Sequence, residues 1–208
     1  MDFHNQLILI NEKYYEAIEQ KYGCFVKNFP SKGNLTSNVF PVSPSDCKDL
    51  FADLASHRAK CDHDGKIYIR TDKLNEHVLV HEFIHRLTNN RKYLGDFRFG
   101  VIQGFDADYS KHLFPYGNCD LLGLNELITE YLAFEITKYK EPTTYQQNLN
   151  VISEIRNRLG EDGFDNLIQS YFHSDVRSIW NILYKIYGGN MLYAMNHMTD
   201  VVCKSSYN

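Results

Sequence analysis

Apolar side chains recur every three or four positions at the start of the chain, at Phe3, Leu7, Ile10, Tyr14, Ile18 and Tyr22. That spacing puts them on one face of a helix, with Gly23 as its stop. Cys24 to Phe29 reads as a short strand. Residues 30–44 hold Pro30, Gly33, Pro41 and Pro44 among serines and asparagines, the composition of a loop. A helix is expected next, capped by Ser45 or Asp46, with Leu50, Phe51 and Leu54 inward. Cys61 to Gly65 reads as a turn and Ile67 to Arg70 as a strand. A helix is then expected from Thr71 or Asp72 to about Asn89, with Leu74, Val78, Phe83, Ile84 and Leu87 towards the core. Residues 91–122, rich in glycine, aromatics and aspartate, read as loops with a short hairpin. Another helix covers roughly 123–139. Three or four more fall between 144 and 203, punctuated by Gly160 and the Gly188–Gly189 pair. There is no internal repeat. The pattern predicts an α+β fold, mainly helical, with a small N-terminal sheet.

Length and charge narrow this picture. A chain of 208 residues fits one domain, with an N-terminal lobe over about 1–90 and a helical C-terminal lobe over about 120–208. The formal net charge of −4, with no basic run among the aromatics, argues against nucleic acid as a partner. No stretch approaches the length of a membrane span. The N-terminus lacks the basic and apolar regions of a signal peptide. The cysteines, Cys24, Cys47, Cys61, Cys119 and Cys203, are odd in number and scattered, unlike a disulfide framework. These features suggest a cytoplasmic protein, or one exported without a recognisable signal.

Candidate chemistry enters at residues 81–85, HEFIH. Positions four apart on a helix lie one turn above each other, so His81 and His85 can aim two imidazoles at one metal. Glu82 sits at the edge of that face, in reach of a water on the metal. Zinc brings such a water towards a neutral pKa. The carboxylate can then take its proton during attack on a carbonyl and pass it to the leaving amine. The motif alone arises by chance in roughly 2 % of chains of this His and Glu content, and Phe83, Ile84 and Leu87 on the far side of the helix sharpen it.

A catalytic zinc needs a third protein ligand and an open fourth position. A third histidine in the HExxHxxGxxH pattern is excluded, because Thr88 and Arg91 stand where Gly and His are required. Residues 125–135, NELITEYLAFE, offer a carboxylate instead. Glu126 and Glu130 share a helical face, with Thr129, Ala133 and Thr137 along the same stripe and Leu127, Ile128, Tyr131 and Leu132 on the other side. Glu126 is the candidate ligand. Glu130, one turn on, is placed to accept a hydrogen bond from the free ring nitrogen of a ligand histidine. Asp106, Asp108 and Asp120 are alternatives that rank behind Glu126, since none lies on a helical site face.

HEFIH followed about forty residues later by NELITEYLAFE resembles the gluzincin clan of zinc peptidases. The longer gap and the G-L-N-E-x-x-T-E-Y run are closest to lethal-factor-like and small bacterial peptidases. The resemblance covers roughly residues 67–137. It implies a zincin-like fold, one Zn2+ per chain on His81, His85 and Glu126, Glu82 as base, Glu130 behind the ligands, and a peptide or protein substrate. Leu127 departs from the Gly that many relatives carry. Gluzincins also use a Tyr or His to stabilise the tetrahedral intermediate. Tyr116, just upstream of the second motif, is the first candidate, followed by Tyr109, His173, Tyr187, Tyr193 and His197.

Other residues carry blander readings. His77, one turn before His81, is an alternative ligand or cleft residue, but is expected to be partly exposed. Cys61-Asp62-His63-Asp64 lacks a second pair at zinc-finger spacing and reads as a turn. Trp180 fits a helix core. No G-x-S-x-G elbow or P-loop is present. The rival to a peptidase is a binding or regulatory protein on the same scaffold, against which the intact Glu82 speaks.

Overall fold

The computed structural model describes residues 2–46, 58–62, 65–88, 122–139, 148–173 and 175–206. The architecture is mainly helical, with a three-stranded sheet near the N-terminus. The chain divides into two compact units. Among the described residues no helix is long and apolar enough to cross a membrane.

The first unit comprises Met1–Leu87 and Leu132–Lys140. Helix α1, Phe3–Tyr22, begins where the Asp2 carboxylate accepts the Asn5 amide at 2.8 Å. Its buried face, Leu7, Ile10, Tyr14, Ile18 and Tyr22, is the expected one, except that Phe3 is half-buried and Asn11 joins it. Past Gly23 the chain tightens into a 3₁₀ turn, Gly23–Phe25, not the expected strand at Cys24–Phe29. Residues 30–44 also differ from the expected loop. They hold a short helix α2, Lys32–Thr36, capped by Ser31, and strand β1, Val39–Val42. Leu35 supplies the reason for α2, since it is fully buried and its carbonyl accepts Arg86 Nη1 at 2.6 Å. The helix expected after Asp46, with Leu50, Phe51 and Leu54, lies outside the described residues.

Strands β2, Ala59–Cys61, and β3, Ile67–Arg70, complete the sheet in the order β1-β3-β2. β1 runs parallel to β3, with Val39 opposite Ile67, and β2 antiparallel, with Ala59 opposite Ile69. Pro41 fits here because β1 is an edge strand whose outer side needs no N–H donor. Ile67 and Ile69 alternate with half-buried Tyr68 and Arg70, the period of a strand with one covered face. Of the expected turn at Cys61–Gly65, Cys61 belongs to β2, and residues 63 and 64 lie outside the described residues. Asp62 Oδ1 accepts the Lys66 amide at 2.8 Å, and Gly65 takes a positive φ of 74°.

Helix α3, Glu76–Leu87, lies against β2 and β3. It starts later than Thr71, because residues 71–73 form a turn and Asn75 Oδ1 caps it by accepting the Val78 amide at 2.9 Å. Its first turn is tied to α1: the Glu76 carboxylate accepts Lys13 Nζ at 2.7 Å and the Tyr14 hydroxyl.

Helix α4, Leu122–Thr137, is continuous, and its residues up to Tyr131 belong to the second unit. It ends at Lys138, which takes a positive φ of 49°. Its second part is fixed within the first unit by Tyr22, whose hydroxyl donates to the Leu132 carbonyl at 2.9 Å, and by a Lys21–Glu135 ion pair.

The second unit comprises Thr88–Tyr131 and Glu141–Asn208. Its helices are α5, Leu149–Phe172, α6, Val176–Tyr187, and α7, Met191–Ser206. Gly160 kinks α5 with φ 68° and ψ 175°, and Gly188 ends α6 with φ 51°. Both glycines act where the sequence predicts. Arg156 bridges the kink, reaching Glu161 through Nε at 3.0 Å and the Tyr131 hydroxyl through Nη1 at 2.7 Å. At Gly123 the start of α4 meets the backbone of α7. A Cβ there would fall 2.3 Å from the Thr199 nitrogen, so only glycine allows the approach.

Candidate metal centre

Ten of the twelve residues of α3 are buried, and Glu76 and Arg86 are half-buried. Leu79, Val80, Phe83 and Ile84 are fully buried and hold the helix against its surroundings. The expected core positions Leu74, Val78, Phe83, Ile84 and Leu87 are all buried. The polar residues of HEFIH are buried with them: His81 is 8 % exposed, Glu82 6 % and His85 3 %. Burying three ionisable groups in one turn is costly unless something compensates it.

The helical spacing brings the two imidazoles together as expected. Nε2 of His81 lies 3.0 Å from Nε2 of His85, and the rings meet edge to face at 73°. Two bare lone pairs would repel at that distance, so a proton or a cation must lie between the nitrogens. Two histidines on a tetrahedral zinc present nitrogens about 3.3 Å apart.

The third group comes from α4. From Gly123 to Ala133 every residue is buried except Glu126, which is half-buried. The sequence reading gave this helix one polar stripe and one apolar side. Both sides are buried, and the distinction lies in Glu126 alone. One ligand atom from each of His81, His85 and Glu126 lies within 4.8 Å of the other two. Among the described residues, this is the group of three or more His, Cys, Asp or Glu side chains so placed. Two imidazoles and one carboxylate at this spacing could hold a metal ion.

Glu82 supports the same fit. Its Oε2 is buried and has no hydrogen-bond partner among the described residues. Leaving a buried acceptor unsatisfied costs about 1–3 kcal/mol, and more when it is charged. Burial of this acceptor without a partner among the described residues therefore needs an explanation beyond folding. Glu130, one turn beyond Glu126, is 3 % exposed. Beside them, Asn125 Nδ2 donates to Glu126 Oε1 at 3.4 Å.

His77 corrects the sequence reading. It is 3 % exposed rather than partly exposed, because Thr137 and Tyr139 cover it. Its Nδ1 lies 2.9 Å from Thr137 Oγ1, and its ring stacks on Tyr139 with centroids 5.1 Å apart. It does not belong to the three-residue group.

Asp106, Asp108, Asp120, Tyr109 and Tyr116 lie outside the described residues. Of the other candidates for the carbonyl, His173 is exposed and Tyr193, 76 % exposed, stacks on exposed His197. Tyr187 is half-buried beneath Arg158, and burial raises its hydroxyl pKa, with the Glu154 charge adding to the rise. Trp180 is half-buried on α6 rather than enclosed. Tyr171, which the sequence reading passed over, is fully buried and hydrogen-bonds Thr129 of α4. Its helix shows ordinary amphipathic spacing, so no local signal separates it from a core aromatic. Comparison of the sequence with protein-family models and curated proteins, and of the fold with solved structures, finds no match.

Proposed function

We propose that this chain is a zinc-dependent peptidase on a zincin-like scaffold, with His81, His85 and Glu126 holding one zinc and Glu82 as general base. The reading rests on one observation above others: a ligand atom from each of the three residues lies within 4.8 Å of the others. The resemblance of HEFIH and NELITEYLAFE to the gluzincin motifs supports the choice of reaction.

When bound, zinc supplies Lewis acidity, which brings a water at the open position towards a neutral pKa. Glu82 accepts the proton of the attacking water and returns it to the leaving amine nitrogen. Its buried Oε2, without a hydrogen-bond partner among the described residues, is the atom we assign to that transfer. Glu130 orients a ligand histidine through the ring nitrogen that does not face the metal. A purely structural site has no use for the Glu82 carboxylate, which favours an enzyme over a binding protein.

Elemental analysis of the wild type and Glu126→Ala, side by side, tests the metal site. The expected result is about one zinc per chain in the wild type and little in the variant. A wild type that stays zinc-free after metal is added back would overturn the proposal. Casein hydrolysis by the zinc-loaded wild type then tests the peptidase reading.

A further inference from the structure

Tyr171 of α5 places its hydroxyl 2.5 Å from Thr129 Oγ1 of α4. Thr129 Oγ1 also lies 2.8 Å from the carbonyl oxygen of Asn125, one turn earlier. A carbonyl has no proton to give, so the single threonine proton goes to Asn125. Tyr171 is therefore the donor to Thr129. The bonds form a one-way series, from the Tyr171 hydroxyl to Thr129 Oγ1 and from the Thr129 hydroxyl to the Asn125 carbonyl. Asn125 immediately precedes Glu126, and its side-chain amide donates to Glu126 Oε1. Asn125, Thr129 and Tyr171 are each 0 % exposed.

This series does what apolar packing cannot. Leu124, Leu127, Ile128 and Leu132 point to different sides of α4 and are all buried. Hydrophobic burial is non-directional, so these four side chains specify the roll of the helix less sharply than a directional bond does. A hydrogen bond in a dry setting is directional and has no water to exchange with. It also holds the back-bonded rotamer of Thr129, a geometry that bends helices when left to itself. The geometry points to Tyr171 as a positioning residue for the metal site, which through Thr129 sets the roll of α4 and the direction in which Glu126 and Glu130 leave it. The inference rests on the metal-site reading above.

The test is zinc affinity by chelator competition for wild type, Tyr171→Phe, Thr129→Val, their double variant and Thr129→Ser. Urea unfolding of each zinc-free protein runs alongside. Loss of a group that orients a ligand weakens metal binding about ten- to a hundredfold. Tyr171→Phe and Thr129→Val should each fall in that range, and the double variant should be no weaker than the worse single one, because both cut one series. Thr129→Ser, which keeps the hydroxyl, should bind like wild type. A folded Tyr171→Phe with wild-type affinity would overturn the inference while leaving the metal site standing. Affinities that merely follow zinc-free stability would also overturn it. If Tyr171→Phe fails to fold, Thr129→Val against Thr129→Ser decides by the same criterion. A wild type that binds no zinc would remove the metal-site reading itself, and the inference with it.

Discussion

His77 Nδ1 lies 2.9 Å from Thr137 Oγ1, tying the first turn of α3 to the last turn of α4 within one compact unit. Thr137 donates its own proton to the Ala133 carbonyl at 2.9 Å, so the His77 nitrogen must be the donor and its proton sits on Nδ1. α4 is unbroken from Leu122 to Thr137. Glu126 lies about 16 Å along the helix from Thr137, and His85 about 12 Å along α3 from His77, at 1.5 Å per residue. Thr137→Val keeps the shape of the side chain and removes the acceptor for Nδ1. The expected cost is about 1–3 kcal/mol of unfolding free energy, read by urea denaturation. An unchanged midpoint would show that packing alone holds α3 to α4 there.

Glu82→Gln separates chemistry from metal binding. The variant should keep the zinc content of the wild type and lose hydrolysis by about a hundredfold or more. The carboxylate is 6 % exposed with Oε2 unsatisfied among the described residues. Gln keeps the shape of the side chain, so zinc-free Glu82→Gln should match the stability of zinc-free wild type to within about 1 kcal/mol. Retained turnover would remove Glu82 from the mechanism.

Gly123 is required by contact rather than by dihedral angle. An added Cβ would stand 2.3 Å from the Thr199 nitrogen and 2.4 Å from the Met198 carbonyl carbon, both backbone atoms that cannot swing aside. Gly123→Ala should therefore destabilise by about 1–3 kcal/mol or more through overpacking. It should also weaken zinc binding, since the strained turn lies three residues before Glu126. A calorimetric midpoint within a degree of wild type would contradict the tight docking of α4 on α7.

Acid should loosen the joint between α1 and α3. Burial pushes the Glu76 carboxyl up, but the donors Lys13 and Tyr14 outweigh it and hold the group below its ordinary value of 4.5. A lowered folded pKa stabilises above the unfolded value, and that stability is lost as pH falls through the folded one. Glu135, where Lys21 and Lys138 likewise outweigh burial, has the same sign. The Glu76 side chain is 42 % exposed, so its share is below about 1 kcal/mol. Glu76→Gln should flatten the fall in stability below about pH 4.5, measured by urea midpoints across pH. A variant as acid-sensitive as wild type would place the acid response elsewhere.

Local periodicity determined a good part of this protein. The buried face of α1, the strand Ile67–Arg70, the pairing of His81 with His85 and the breaks at Gly160 and Gly188 all follow from contacts within a few residues. The sequence alone could report these because a helix repeats every 3.6 residues and a strand every two, whatever lies beyond. Partners far along the chain decided the rest. Pro41 looks like a loop residue until β3 takes the single side on which β1 needs bonds. His77 looks exposed until Thr137 and Tyr139 cover it. Tyr171 looks like any core aromatic until Thr129 receives its proton. Glu126, ranked first among the carboxylates by its helical face, has a ligand atom within 4.8 Å of one on each histidine. Hydrogen bonds and metal ligation depend on distance in space, and a helix pattern holds no record of which side chain from another element arrives on its buried face.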